Sequence, residues 1–288
     1  MTRALEVLAT GPLTLVQDLG RPGYAAVGVS RSGAADRGAF RLGARLLAQT
    51  YDAAALEVTL GGLEVRARGD LTLVLTGADA PAIADGRGVG HQSPFVLHDS
   101  QTLRLGLPSA GVRTYLSVRG GIDVPPVLGS RARDTLANLG PAPLKAGDLL
   151  PLGPPPPSFP NVDLAPPAPP DADPLLLHAL PGPREDWIAD LAAVTATTWT
   201  VSSRSDRIGV RLEGPALVPH PDRKGQELPS EGVVRGALQV PTGGQPILFL
   251  ADYPVTGGYP VVAVIIEHDV DRAAQAVPGQ AVRITLVP

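Results

Sequence analysis

Residues 230–266 read SEGVVRGALQVPTGGQPILFLADYPVTGGYPVVAVII, and this stretch constrains the fold more than any other. Two apolar runs, 246–251 and 261–266, have the length and β-branched content of buried strands. Pro241-Thr-Gly-Gly244, Asp252-Tyr-Pro254 and Thr256-Gly-Gly-Tyr-Pro260 punctuate them. The paired glycines Gly257 and Gly258 permit positive φ and a close approach to the backbone. Ser230, Glu231, Gln239, Asp252 and Thr256 stand at strand ends, where loops on a rigid sheet carry binding and catalysis. A β-barrel core with ordinary turns would show the same pattern.

Composition agrees with many short strands. The 288 residues include 33 Gly and 32 Pro, too many for a helical protein, and suit one large domain or two of about 140 residues. Hydrophobic residues make up 44% and aromatics 4%, so Ala, Val and Leu fill the core. A net charge of −4 without a basic cluster argues against a nucleic-acid partner. The absence of cysteine excludes disulfides, Cys-ligated zinc and a thiol nucleophile. The first residues, MTRALE, lack an apolar signal core, and no run of about 18 apolar residues occurs. The expectation is a cytoplasmic enzyme, or one chain of an enzyme complex, with no membrane span.

Along the chain, residues 4–8 alternate as a strand, and a Gly11-Pro12 turn leads into a second over 13–17. The segment DLGRPGY (18–24) holds too much Gly and Pro for either regular element. Ala39, Leu42, Gly43, Leu46 and Leu47 recur at helical spacing, capped by Ser32 or by Asp36, which lies nearer the apolar start. Strands are expected at 56–60, 63–67, 71–76, 96–97, 103–107 and 112–118, as in an antiparallel barrel or sandwich. The proline-rich segment that includes PPPP reads as a linker or extended surface segment. Beyond it come a strand at 175–180 and a helix over 185–191 with Trp187, Ile188 and Leu191 on one face. Strands at 199–201 and 208–212, a polar loop at 217–229, a helix over 269–276 and a strand at 282–286 complete the chain. The domains are 1–153, a linker 154–174, and 175–288.

The chemistry available is narrow. No phosphate-binding Gly-x-x-x-x-Gly-Lys-Ser/Thr loop and no Gly-x-Ser-x-Gly elbow are present. The histidines His91, His98, His178, His220 and His268 form no metal-binding pattern, so no metal site is expected. His98-Asp99 is an acid/base pair or, more simply, an exposed turn. Carboxylates and arginines on Gly-rich loops remain. Asp18, Asp36, Asp252 and Glu231 are the candidate catalytic groups, and Asp134 is a further carboxylate able to orient an amide. Arg21, Arg131 and Arg207 suit a carboxylate or phosphoryl group through their forked donors, although Arg131 equally suits tying down its own loop. Ser230, Gln239, Thr256, Gly257 and Gly258 complete the candidate substrate-binding set.

The order SEG…GA-x-QVP-x-x-GQPI…LAD-x-x-x-TGGYP resembles the C-terminal part of the family that unites KipA, allophanate hydrolase subunit 2 and the C-type chain of 5-oxoprolinase. Its members are also called biotin-dependent carboxyltransferase-like proteins. Residues 18–23, Ser32-Gly-Ala34 and Asp36 match that family's DLGRPG…SGAMD pattern, with Ala35 in place of Met. Gly129-Ser-Arg131 and Asp134 match a further motif. So do Arg207, Gly209, Arg211 and Leu212, with Asp206 where Asn is common and Ile208 where Met is common.

The resemblance implies two related, cyclophilin-like β-barrel halves with a few short helices. A weak repeat agrees: LKAGDLL (144–150) and VPGQAV (277–282) each close a half with a glycine turn before an apolar strand. It also implies ATP-dependent opening of 5-oxoproline to glutamate, with ATP and Mg as cofactors, KipI-like and LamB-like chains as partners, and a chain inactive alone. In one division of labour this chain and the KipI-like one activate the lactam by phosphorylation. The alternatives are carboxyl transfer to urea, allophanate or another small amide, with biotin arriving on a separate carrier, and a regulatory role as antagonist of a KipI-like histidine-kinase inhibitor.

Overall fold

The computed structural model describes residues 3–159, 161–166 and 173–287. The chain is mostly β and divides into two compact units. One unit comprises Met1–Arg21, Ser32–Asp134 and Asn138–Pro169; the other comprises Pro22–Arg31, Thr135–Ala137 and Pro170–Pro288. Of the proline-rich segment, residues 160 and 167–172 lie outside the described residues.

The first unit holds two antiparallel sheets. A six-stranded sheet runs in the order Leu149–Pro151, Ala4–Thr10, Leu63–Arg68, Thr102–Leu105, Ala82–Ala84, Arg87–Gly88. A five-stranded sheet runs Leu13–Gln17, Ala55–Thr59, Arg113–Val118, Leu71–Gly77, Phe95–Leu97. Leu5, Val7, Leu63 and Val65 of one meet Val16, Leu56, Leu73 and Leu116 of the other in a single core. The helix Arg37–Leu46 lies on the second sheet: Thr76 Oγ1 donates to Ala39 O at 2.8 Å, and Phe40 meets Tyr115 edge to face at 6.3 Å. Arg113–Val118 is therefore covered on both faces and buried at every residue, which removes the polar alternation of a half-exposed strand. Asp36 is the cap, accepting from Ala39 N at 2.8 Å, whereas the alternative, Ser32, takes up a left-handed φ of 55°. The segment after this unit's last strand is tied down by Arg119, which donates to Pro156 O at 2.6 Å and stacks over Phe159.

The second unit is a closed barrel of Leu175–Pro181, Val261–Ile265, Ala237–Gln239, Ile247–Phe249, Gly209–Glu213, Thr198–Val201 and Ala281–Leu286. All pairings are antiparallel except that of Leu175–Pro181 with Ala281–Leu286. Trp199 is fully buried and its indole N–H donates to Val194 O at 3.0 Å. The expected helix over 185–191 is a 3-10 turn, Glu185–Trp187, and a separate helix follows at Ala192–Ala196. The break has a cause: Ile188 leaves in extended conformation to bridge Pro219, and the Asp190 carboxylate takes the Ala192 N–H at 2.8 Å. The last helix spans Glu267–Ala273, two residues earlier than its apolar pattern suggests, because Glu267 and Asp269 favour its positive N-terminal end.

Asp269 fastens that helix to the barrel. Its carboxylate accepts from His178 N (2.6 Å), His178 Nδ1 (2.8 Å) and Arg272 Nη1 (2.8 Å). Burial pushes its pKa up, but the donors from His178 and Arg272 outweigh this and hold it below the ordinary 3.8. A depressed folded-state pKa stabilises the fold above 3.8 and loses that contribution as pH falls through the folded value. Asp269→Asn is expected to lose about 2 kcal/mol in urea unfolding at pH 7. The deficit should hold steady down to pH ~5 and narrow at more acid pH, where the native carboxyl also protonates.

Candidate functional site

Three loops of the first unit, around residues 17–21, 32–36 and 130–134, converge on Asp18. Its carboxylate accepts from Gly20 N at 2.7 Å, Ser130 Oγ at 2.7 Å and Arg131 N at 2.6 Å, and its carbonyl accepts from Ala34 N at 2.8 Å. The bond to Gly20 closes an Asx turn. Gly33, at φ 97°, lies against the Leu19–Gly20 backbone so closely that a Cβ would stand 2.7 Å from it, so only glycine fits. Arg21 is almost wholly buried, with Nη2 on Ala132 O and Nε 3.4 Å from Val127 O. Gln17 Nε2 donates to Arg133 O at 2.8 Å, and Ser32 Oγ to the same carbonyl at 3.3 Å.

Arg131, by contrast, spends donors on its own loop, on Val124 O at 2.9 Å and Asp123 Oδ1 at 2.6 Å. Of the two roles open to it in sequence, this geometry is the loop tie. Asp134 is fully buried, its backbone N–H on Leu139 O at 2.9 Å. Asp36 joins a buried network that motif reading did not find. Its N–H donates to the Tyr115 hydroxyl at 2.8 Å, which donates to Glu57 Oε2 at 2.7 Å; Ala35 N also reaches that oxygen at 3.0 Å. Arg113 Nε lies 3.7 Å from Glu57 Oε1. Burial, then the Glu57 and Asp36 charges, push the Tyr115 hydroxyl well above its ordinary pKa, so it stays a donor. The one sequence signal was a carboxylate amid the apolar strand ALEVT.

In the second unit Asp252 and Arg207 pair face to face: Nε to Oδ2 at 2.9 Å and Nη2 to Oδ1 at 3.0 Å. Both are buried, and Thr135 adds its N–H at 2.9 Å and hydroxyl at 2.7 Å to Asp252 Oδ2. Asp206, beside them in sequence, caps its own turn by accepting from Ile208 N at 2.8 Å. Glu231 stands apart on a two-stranded ribbon with Thr256–Gly257, held by Arg184 Nε at 3.0 Å. That bond is the main cause raising the Arg184 pKa. Gln239 lies under the ribbon, its Nε2 donating to Tyr259 O at 3.1 Å, and a Cβ on Gly257 would meet it at 2.5 Å. Ser230, Thr256 and Gly258 are exposed.

These arrangements differ in what they can do chemically. The Asp18 and Asp252 carboxylates accept hydrogen bonds from several parts of the chain, which makes them anchors for their loops. Glu231, half-buried, faces the single guanidinium of Arg184 through both its oxygens. Among the described residues no three His, Asp or Glu side chains gather as a metal site.

The family model for the carboxyltransferase domain, subdomain A and B, matches residues 27–286. The chain belongs to this carboxyltransferase-domain family. The C-type chain of Escherichia coli 5-oxoprolinase is 39% identical, over 96% of the present chain and 89% of that protein. The corresponding 5-oxoprolinase chain of Haemophilus influenzae is 31% identical, over 98% of the present chain and 91% of that protein. The crystal structure of K. lactis urea amidolyase superposes at a TM-score of 0.91 with 29% identity, covering 99% of the chain but 19% of the amidolyase. The carboxyltransferase-domain fold thus occurs both as a separate polypeptide and inside a much longer one.

Removing one partner of the Arg207–Asp252 pair strands a buried charge. Asp252→Ala and Arg207→Ala should each lose about 3–5 kcal/mol of stability in urea unfolding. If Asp252→Ala instead unfolds with the parent chain, the pair is not the anchor described above.

Proposed function

We propose that this chain is the C-type component of an ATP-dependent 5-oxoprolinase, working with a KipI-like and a LamB-like chain. The observation that carries this reading is the reciprocal coverage with the Escherichia coli protein, 96% of one chain and 89% of the other. A match to a domain within a larger enzyme, as with urea amidolyase, covers a minor part of the partner. The reaction adds water across the lactam C–N bond, giving glutamate, while ATP passes its terminal phosphoryl group to water. ATP with Mg²⁺ supplies the driving force when bound. Mg²⁺ on a nucleotide needs only one or two carboxylates beside the phosphates, and the half-exposed Glu231 would be the carboxylate to offer one. The chain's own part is to hold and orient the amide on loops fixed by Asp18. The second reading, carboxyl transfer to a small amide from biotin on a separate carrier, draws on the family model and the likeness to urea amidolyase.

Co-expression with KipI-like and LamB-like chains, followed by assay of ADP and glutamate from ATP and 5-oxoproline, tests the proposal. Turnover that needs all three chains is the expected result. A stable complex that makes neither product overturns it. Carboxylation of urea by carboxybiotin would then support the second reading.

A further inference from the structure

A sheet edge is a row of backbone donors and acceptors, and folded chains cover, shorten or charge their edges to keep other strands off. Four strands of the first unit end a sheet: Leu149–Pro151, Arg87–Gly88, Leu13–Gln17 and Phe95–Leu97. Three of them are managed. Asp123 N donates to Pro151 O at 2.8 Å, and Arg133 N and Leu144 N donate to Val16 O and Thr14 O, each at 3.0 Å. Arg87–Gly88 is two residues long and carries a charge. Phe95–Leu97, by contrast, is apolar throughout and holds no proline.

Register gives the direction of its free groups. Thr72 O accepts from Arg119 N at 2.9 Å, on the side away from Phe95–Leu97, whereas Leu75 O accepts from Gln92 N at 2.8 Å on the near side. Thr72 stands opposite Val96, so the two form a non-hydrogen-bonded pair of the antiparallel ladder. The Val96 N–H and C=O therefore point outward, and no strand lies beyond them in this sheet. The Val96 residue is 51% exposed. Just upstream, the chain lays its own segment on the same edge: Ala165 N donates to Gln92 O at 3.0 Å and Ser93 Oγ to Asp163 O at 2.7 Å. Among the described residues that cover ends at Ser93.

Acidic groups bracket the opening. At one end Asp70 Oδ1 accepts from Asp99 N at 2.9 Å, and the Gln101 side chain joins the His98 N–H, at 2.9 Å, to Asp85, at 3.2 Å. The Asp99 N–H, then the His98 ring, hold Asp70 below the ordinary carboxylate range. At the other end stand Asp163 and Asp79, the latter 3.7 Å from His91 Nδ1. Arg87, two residues from Asp85, offsets one of these five charges. A second copy paired antiparallel through Val96 would set one group of acids against the other, which opposes it. A segment with basic residues meets attraction instead.

We infer that Phe95–Leu97 is a docking edge for an extended segment of a partner chain, apolar at its centre and bearing Lys or Arg at its ends, which pairs with the Val96 N–H and C=O as an added strand. This deepens the oxoprolinase reading and rests on it for the partner, the KipI-like chain.

The test is calorimetric binding of the purified KipI-like chain to the full chain, with hydrogen exchange followed by NMR. Val96→Pro removes an N–H that faces outward, so the ladder to Leu71–Gly77 keeps its bonds. Val96→Thr keeps both the N–H and the β-branched shape. Binding should slow exchange at the Val96 amide, weaken roughly 10- to 100-fold in Val96→Pro and hold in Val96→Thr. The double variant Asp79→Lys, Asp163→Lys should bind more weakly and with less salt dependence. Should Val96→Pro fail to fold, exchange in the parent complex and the charge variant still decide. A complex in which Val96 exchanges as in the free chain, or which Val96→Pro forms with parent affinity, overturns the edge; turnover of 5-oxoproline once the LamB-like chain is added leaves the oxoprolinase reading standing. A KipI-like chain that does not bind the parent also overturns the edge, as does a dimer of this chain alone that Val96→Pro abolishes. Protection of Val96 in a three-chain complex that turns over no 5-oxoproline overturns the oxoprolinase reading and keeps the edge.

Discussion

The bonds to one carboxylate, Asp18, hold the polar region of the first unit together. Loops more than a hundred residues apart in sequence meet on its two oxygens, because Ser130 Oγ and Arg131 N both donate to it. A Gly20 N–H closes its own turn and the Ala34 N–H takes its carbonyl. Its donors come from the backbone and from a buried serine, so the group is fixed in one orientation. Without it, the turn that aims Arg21 back at Ala132 has no fixed direction.

The second unit uses the same device with different parts. Asp252 takes Arg207 in a forked pair and both donors of Thr135. A buried ion pair is poor evidence of net stability, since desolvation offsets much of its attraction. Its use is to fix geometry: each donor has a single place to go, so the loop adopts one conformation.

Much of the fold was legible in the sequence because its strands are short apolar runs between glycine and proline turns. Most strand positions and the Asp36 cap follow from local pattern, whereas the short strands Ala82–Ala84, Arg87–Gly88 and Ala237–Gln239 do not. Where sequence reading failed, the cause was contact at long range. The helix expected over 185–191 yields to a bridge between Ile188 and Pro219, which no local periodicity announces. The bond between Glu57 and Tyr115 joins residues fifty-eight apart, and only their burial in neighbouring strands reveals it. For Arg131, sequence offered two roles, and the partner that separates them, Asp123, is merely one acidic residue among many until the loop is folded.

Motif and site therefore separate along a physical line. The residues that stand out as motif, Asp18, Asp252 and Arg207, have their hydrogen-bonding capacity filled by the chain itself. Such filled groups hold loops, and a group that must move a proton or grip a substrate needs capacity left over. Open capacity in the first unit includes Arg21, at the edge of a motif, and Gln17, which belongs to none and reads as an ordinary strand residue in LTLVQ. Residue type and spacing locate the scaffold of such a site, whereas which donors and acceptors the chain leaves open follows only from how it folds.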